Sequence, residues 1–226
     1  ALAADGAHVI VHGRNAERGQ AVVDQITKSG KGSARFVAAD FSSMQAVREF
    51  ADEIAASTPK LDLLVNNAGI AFNDDRPRRS SADGHELQFA VNYLAGWVLV
   101  NKLRSNLAAA APSRIINVAS LSANAIDFDD VMLDQPGAAR RGYGQSKLAQ
   151  VSMTVELAPA FAADGITMIS LHPATLMATT MVQSIGIPPR TTIAEGRDHV
   201  MGLIHAPALE AGAFYVEGKP GDPMDP

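Results

Sequence analysis

His8-Val-Ile-Val-His12, a helical pattern over residues 15–29, Ala34-Arg-Phe-Val-Ala-Ala39, a second helical pattern over 44–56 and Leu61-Asp-Leu-Leu-Val65 follow one another near the start of the chain. Short β-rich runs, each followed by an amphipathic stretch, are the pattern of βαβ units, because parallel strands need a crossover long enough to hold a helix. The rhythm predicts an α/β fold, a doubly wound parallel sheet between two helical layers.

The pattern continues outward from that core. Residues 84–110 form a long amphipathic stretch, Arg114-Ile-Ile-Asn-Val118 an apolar strand, and residues 143–161 a helix. Ile166-Thr-Met-Ile-Ser-Leu171, a helix over 194–205 and Ala213-Phe-Tyr-Val216 complete it. With no repeat or linker, residues 1–226 are expected to form a single domain.

Both ends carry an expectation. Ala1-Leu-Ala-Ala-Asp-Gly6 reads as the last turns of a helix closed by a glycine cap, so the chain is expected to start mid-fold. In a sheet of order 3-2-1-4-5-6, the first strand and its glycine-rich phosphate loop would then be absent, leaving a gap in the core. Residues 217–226, ending Lys219-Pro-Gly-Asp-Pro-Met-Asp-Pro226, are expected to be an exposed tail.

Composition narrows the function classes. A net charge of -5 offers no electrostatic reason to bind nucleic acid or an anionic membrane surface, and favours a small-molecule partner. The absence of cysteine excludes disulfides and thiolate chemistry. With no signal-like start and no apolar run of about 18 residues, no membrane segment is expected and the cytoplasm is the expected location. The histidines form no His-Glu-x-x-His motif and no serine sits in a Gly-x-Ser-x-Gly elbow, which argues against metallohydrolases and serine hydrolases. Asp127, Asp129, Asp130 and Asp134 lack calcium-loop spacing, so they read as a solvated loop and no metal is expected. Arg76-Pro-Arg-Arg79, beside Asp74 and Asp75, reads as a solvated rim.

Tyr143-Gly-Gln-Ser-Lys147 opens a helix, and its i, i+4 spacing puts a phenol and an ammonium on one face. A free tyrosine, with a pKa of about 10, is a poor proton shuttle at neutral pH, but a cation held close favours the phenolate. Upstream, Leu61 to Gly69 is an apolar strand running into small polar residues at the edge where ligands bind. Arg114 to Ser122 is a second such strand with serine at its exit, and Phe89-Ala-Val-Asn-Tyr-Leu-Ala-Gly96 lies between them.

Taken in order, Asn66-Asn-Ala-Gly69, Asn92, Ser120 and the Tyr143/Lys147 pair resemble the short-chain dehydrogenase/reductase family across nearly the whole chain. The resemblance implies a Rossmann-type fold and hydride transfer between a nicotinamide cofactor and a ketone, an aldehyde or the corresponding alcohol. It makes Tyr143 the general acid/base and Ser120 the hydroxyl that polarises the substrate oxygen, with Ser122 the rival serine. Lys147 would lower the Tyr143 pKa and bind the nicotinamide ribose, and Asn92, at a break in its helix, would hold a water in a proton relay to Lys147. Asn66, Ala68 and Gly69 would contact the cofactor, as would Tyr143 and Lys147. Pro173 and Leu176 belong to His172-Pro-Ala-Thr-Leu176, which is similar to the segment passing the nicotinamide carboxamide, with Ala174 where glycine is usual. Thr179 and Thr180 fall one place late for the family's threonine.

At Val11-His-Gly-Arg14, Gly13 stands where NAD-preferring relatives carry an acidic residue, and Arg14 offers a guanidinium suited to a 2′-phosphate, so NADP(H) is favoured over NAD(H). Asp40 resembles the adenine-contacting aspartate, while also reading as a helix N-cap. The extra residues between Ser120 and Tyr143, with Ser81 to Phe89, resemble the retinol dehydrogenase and protochlorophyllide reductase side of the family, whose substrates are often bulky and apolar. The helices from Gly84 and Tyr143 resemble those that pair in family oligomers, so a homodimer or homotetramer is expected. Reduction is the expected direction. Two alternatives stay open: an extended-branch epimerase or dehydratase, for which the chain lacks a substrate domain, and a non-catalytic dinucleotide-sensing protein on the same fold.

Overall fold

The computed structural model describes residues 1–72 and 77–223. Asp74, Asp75 and Arg76 fall outside the described residues. A 3₁₀ turn at Leu2–Asp5 closes at Gly6, whose φ of 94° is the left-handed conformation glycine adopts without strain. Strand β1 (His8–Gly13) leads through α1 (Ala16–Ser29) to β2 (Ser33–Ala38), then α2 (Met44–Ser57) and β3 (Leu63–Asn66). Asn15 caps α1 by accepting from the Arg18 amide at 2.8 Å, so the first crossover starts where the sequence pattern starts.

The stretch over residues 84–110 is not one helix. It divides into α3 (Leu87–Phe89), a π turn (Ala90–Leu94), α4 (Ala95–Lys102) and α5 (Arg104–Ala109). Strand β4 (Ser113–Val118), α6 (Gly142–Ala162), β5 (Ile166–His172), α7 (Thr180–Ser184), α8 (Ile193–His205), β6 (Phe214–Val216) and β7 (Lys219–Pro220) follow. The segment after β6 is exposed over most of residues 217–222 but not unstructured: Glu217 and Gly218, both at positive φ (49° and 83°), form a hairpin turn that folds β7 antiparallel onto β6.

The strands form a parallel pair, β1-β2, and a second sheet of order β3-β4-β5-β6-β7, parallel except at its last strand. Between the facing edges of β1 and β3 lies a cavity of about 770 Å³, lined by His8, Val9 and Ile10 on one side and Leu63, Leu64 and Val65 on the other. This is the position that a 3-2-1-4-5-6 order gives to its first strand.

Side chains alternate across the sheet, as strand geometry requires. Ile115 and Met168 pack with α2, α4 and α6, whereas Ile116 and Ile169 pack with Leu203 of α8. Core residues such as Val47, Leu107, Ile115 and Met168 are fully excluded from solvent. Each contributes about 1.5–3 kcal/mol on the area scale. Among the described residues, no helix is long and apolar enough to cross a membrane.

The solvated-rim reading of Arg78 is corrected. Its guanidinium donates to the Met132 carbonyl at 2.5 Å, Ser80 Oγ at 2.7 Å and the Gly84 carbonyl at 2.7 Å, and pairs with Asp134 at 3.3 Å. It thereby fastens the 121–141 segment to the 80–84 turn. Asp127 pairs with Arg141 at 3.0 Å and Asp130 accepts from the Asp134 and Gln135 amides, so these carboxylates brace the segment.

Candidate active site

The site lies at the C-terminal ends of β3 and β4, the edge where open parallel sheets bind ligands. The strands run in register, Asn66 opposite Asn117. Asn66 Nδ2 donates to Asn117 Oδ1 at 2.8 Å, Asn117 Nδ2 to Thr154 Oγ1 at 2.9 Å, and Thr154 Oγ1 to the Gln150 carbonyl at 2.8 Å. Buried amides must find partners, and these find each other. The Asn66 side chain thus joins β3 to β4 and, through β4, to α6.

The segment after β3 is held by Asn92. Its Oδ1 accepts from the Ile70 amide at 2.8 Å, and its Nδ2 donates to the Ile70 carbonyl at 3.0 Å and to Ser146 Oγ at 2.9 Å. The amide oxygen and both amide hydrogens thus have partners, which fixes Asn92 and the segment after β3 relative to α6. The π turn carries this residue, and such turns recur at functional sites. Ala68 and Gly69 are half-buried in this segment. A Cβ on Gly69 would sit 3.4 Å from Asn92 Oδ1 and 3.6 Å from Lys147 Nζ, so the bare glycine leaves that side of both groups open.

Ser120 follows β4 and is buried. Its Oγ accepts from the Ser122 amide at 3.1 Å and lies close enough to the Tyr143 phenol to favour its ionised form, a contact that places Ser120 beside the phenol. Burial pushes the Tyr143 phenol above its ordinary value, and the Ser120 hydrogen bond opposes that shift. Lys147 lies one turn further along the same face of α6. Its Nζ lies 5.8 Å from the centre of the Tyr143 ring and donates to the Val118 carbonyl at 2.8 Å and to Gln150 Oε1 at 2.9 Å. Burial lowers its pKa to about 7.

Two glycines that sequence reasoning passes over flank Tyr143. A Cβ on Gly142 would lie 2.5 Å from Gln88 Nε2, and one on Gly144 would lie 2.3 Å from Asn124 Nδ2 and 2.7 Å from the Ser122 carbonyl. Glycine is a poor helix former, so two in a first turn are a legible signal of close packing. Gly144→Ala gains about 1 kcal/mol of helix propensity but incurs about 1–3 kcal/mol of overpacking against backbone. The expected result is a lower melting temperature with kcat reduced by about 10²-fold, as Ser122 is pushed away and Ser120 moves with it. Thermal melts and steady-state kinetics on the variant check this, and an unchanged kcat contradicts it.

His172 is a further positioning residue that the sequence pattern does not reveal. Burial lowers its pKa, and the neutral ring meets the Leu121 amide at 3.4 Å and Thr175 Oγ1 at 3.1 Å, linking the segments after β4 and β5. Ala174 sits at negative φ, and the strained conformation falls instead at Leu176, with φ of 50°. The Pro173 carbonyl meets His199 Nδ1 at 2.7 Å, and the Leu176 carbonyl accepts from the Arg190 amide at 2.9 Å. Thr179 caps α7 by accepting from the Val182 amide at 3.4 Å.

Arg14 is exposed just beyond β1, close enough to Asp40, beyond β2, for their charges to interact. The Ser42 amide, aided by the Ser42 hydroxyl and the Arg14 charge, holds the Asp40 carboxyl below its ordinary value. Asp40 is not the N-cap of α2: Ser43 is, accepting from the Ala46 amide at 3.3 Å. The donor set fits a nicotinamide dinucleotide: a guanidinium for a phosphate at one end, and an ammonium beside the open Gly69 for ribose hydroxyls at the other.

Comparison with known proteins agrees with this geometry. The family model described as short chain dehydrogenase matches residues 1–188. Human retinol dehydrogenase 13 is 38% identical over 178 residues, 76% of this chain and 52% of the relative. Human retinol dehydrogenase 14 is 34% identical over 199 residues, covering 81% and 58%. The chain thus spans little more than half the length of these curated relatives. A Burkholderia cenocepacia short chain dehydrogenase solved in complex with NADP superimposes with a TM-score of 0.73 at 27% identity, covering 96% of this chain and 89% of that one. With a match over most of its length and a Ser120, Tyr143 and Lys147 site at the strand ends, the chain belongs to the short chain dehydrogenase family.

Proposed function

We propose that the protein is an oxidoreductase moving a hydride between NADP(H) and a ketone or aldehyde, or the corresponding alcohol, with Tyr143 as general acid/base. The carrying observation is the convergence of buried Ser120 at the end of β4 and buried Lys147 on α6 on Tyr143, with the Lys147 ammonium 5.8 Å from the centre of its ring. A nicotinamide dinucleotide bound there supplies or accepts the hydride. A carbonyl accepting hydride develops negative charge on oxygen, which the Ser120 and Tyr143 hydroxyls stabilise before Tyr143 gives up its proton. Lys147 binds the nicotinamide ribose, and Ala68, Gly69, Pro173 and Leu176 line the path of the cofactor. A phenol is protonated at neutral pH and burial pushes the Tyr143 value further up, so Tyr143 is poised as a donor, which supports reduction.

The NADP preference rests on Arg14 and on the lack of an acidic residue at Gly13. The NADP bound to the Burkholderia relative supports the same reading. Arg14→Glu is expected to reduce kcat/KM for NADPH by about 10²-fold while affecting NADH far less, since a charge-assisted bond to phosphate is replaced by repulsion. Steady-state kinetics with both nucleotides test this, and an unchanged preference contradicts it.

The retinol dehydrogenase names of the curated relatives support a bulky, apolar substrate, and the braced 121–141 segment beside the site supplies a wall for one. The reading includes a cytoplasmic homodimer or homotetramer. Trp97 on α4 and Val155 on α6, 45% and 57% exposed, support pairing through those helices, which sedimentation of the complete protein tests.

A further inference from the structure

Lys147 is buried, and a buried ammonium is tolerated only where acceptors replace its water. Its acceptors differ in kind. The Val118 carbonyl is fixed by the β4 ladder, whereas Gln150 Oε1 is a side-chain atom one helical turn from the lysine, on the same face of α6. Gln150 is 1% exposed, and its own turn is locked by Thr154, Asn117 and Asn66 in the hydrogen-bonded series joining α6 to β4 and β3. Among the described hydrogen bonds, its side chain reaches Lys147 and neither Tyr143 nor Ser120, so its link to the chemistry runs through Lys147.

We propose that Gln150 is a positioning residue for this site: its side-chain oxygen holds the Lys147 ammonium under the Tyr143 ring and so sets the pH range over which the site works. The proposal rests on the reading of Tyr143 and Lys147 as the working pair. An amide oxygen suits the task because it stabilises the cation without pinning it in an ion pair. Burial brings the lysine to about 7, so the quality of its acceptors decides whether it is charged at neutral pH.

The titratable group facing Nζ is Tyr143. From the other elements come the Val118 carbonyl of β4 and Gly69 of the segment after β3, with Asn92 of the π turn alongside. Glu86 at the head of α3 lies against Gly142 and accepts from the Phe89 amide, and His172 of β5 bonds Leu121 and Thr175.

Gln150→Met keeps the volume and removes the acceptor, whereas Gln150→Glu replaces it with a carboxylate. The working form is the ammonium, so activity is expected to fall as pH rises through the Lys147 pKa. That limb should move down by about one to two pH units in the Met variant, the size of a hydrogen bond to a charged group, and move up in the Glu variant. Titration of the Lys147 side-chain nitrogen by NMR in the complete protein should show the same opposite displacements without any turnover. Displacements of opposite sign establish the role, and the Glu variant alone decides it if the Met variant does not fold. A Lys147 titration unmoved in the variants, or moved in one direction by both, overturns it. Should Tyr143→Phe prove fully active, the acid/base reading fails, while the NMR titration still decides whether Gln150 holds the lysine.

Discussion

Tyr143→Phe is expected to lower kcat/KM for carbonyl reduction by about 10²–10⁴-fold, the range for losing a positioned general acid. The phenol is half-buried and its hydroxyl has Ser120 as partner, so removing one oxygen costs about 1 kcal/mol of stability, and the fold survives. Nucleotide affinity should stay within a few-fold, because the ring and Lys147 are retained. The measurement is a kinetic profile with a melting curve on the same sample. A variant that melts like the parent yet has lost turnover places the loss in chemistry, and full activity removes Tyr143 from the mechanism.

Lys147→Met is expected to move activity and stability in opposite directions. Turnover should fall by about 10²–10⁴-fold, since both the ribose contact and the charge beside Tyr143 disappear. Stability should rise at low pH, because the ordinary lysine pKa of 10.5 is brought down to about 7 by burial. The sign follows from linkage. Below about 7, folded and unfolded states both carry the proton and the full cost of burying the charge is felt. Between about 7 and 10.5 the unfolded chain binds the proton that the folded chain has released, so the parent gains stability as pH rises. The advantage of methionine is therefore on the order of a few kcal/mol below pH 7, each tenfold weakening of proton affinity being worth about 1.4 kcal/mol, and it shrinks toward pH 10.5. The lost bonds to Val118 and Gln150 offset part of it. Denaturant unfolding across that pH range checks the trend, and a stability difference independent of pH contradicts it.

The parallel strands and crossovers were legible because their periods differ sharply: apolar runs for strands buried on both faces, amphipathic stretches for helices. Breaks inside a helical pattern were not. Residues 84–110 keep their apolar face through the π turn and through Leu103, because a local change of pitch displaces the face by less than a turn. The pairing at the end of the chain was hidden for a different reason. Proline suggested a segment that is exposed, and it is, but proline is also tolerated on an edge strand, and Glu217-Gly218 was a hairpin signal that the prolines obscured.

At the site, identity was legible and partnership was not. Ser120, Tyr143 and Lys147 converge because Tyr-x-x-x-Lys fixes one helix face and the serine ends a neighbouring strand. Which acceptor a lysine reaches, or whether an asparagine bonds a loop or a ligand, depends on packing between distant segments: Asn66 with Asn117, Asn92 with Ile70, Lys147 with Val118. No local pattern encodes those distances. Gly142 and Gly144 did carry a signal, and it was overshadowed by the tyrosine between them.

The most direct test of the account is titration of the complete protein into NADPH, followed by addition of a carbonyl panel weighted toward bulky apolar ketones and aldehydes while NADPH absorbance is monitored. The account predicts saturable binding and consumption of NADPH that depends on the carbonyl. Saturable binding with no consumption, whatever carbonyl is offered, would contradict it and identify a cofactor-sensing protein built on the same fold.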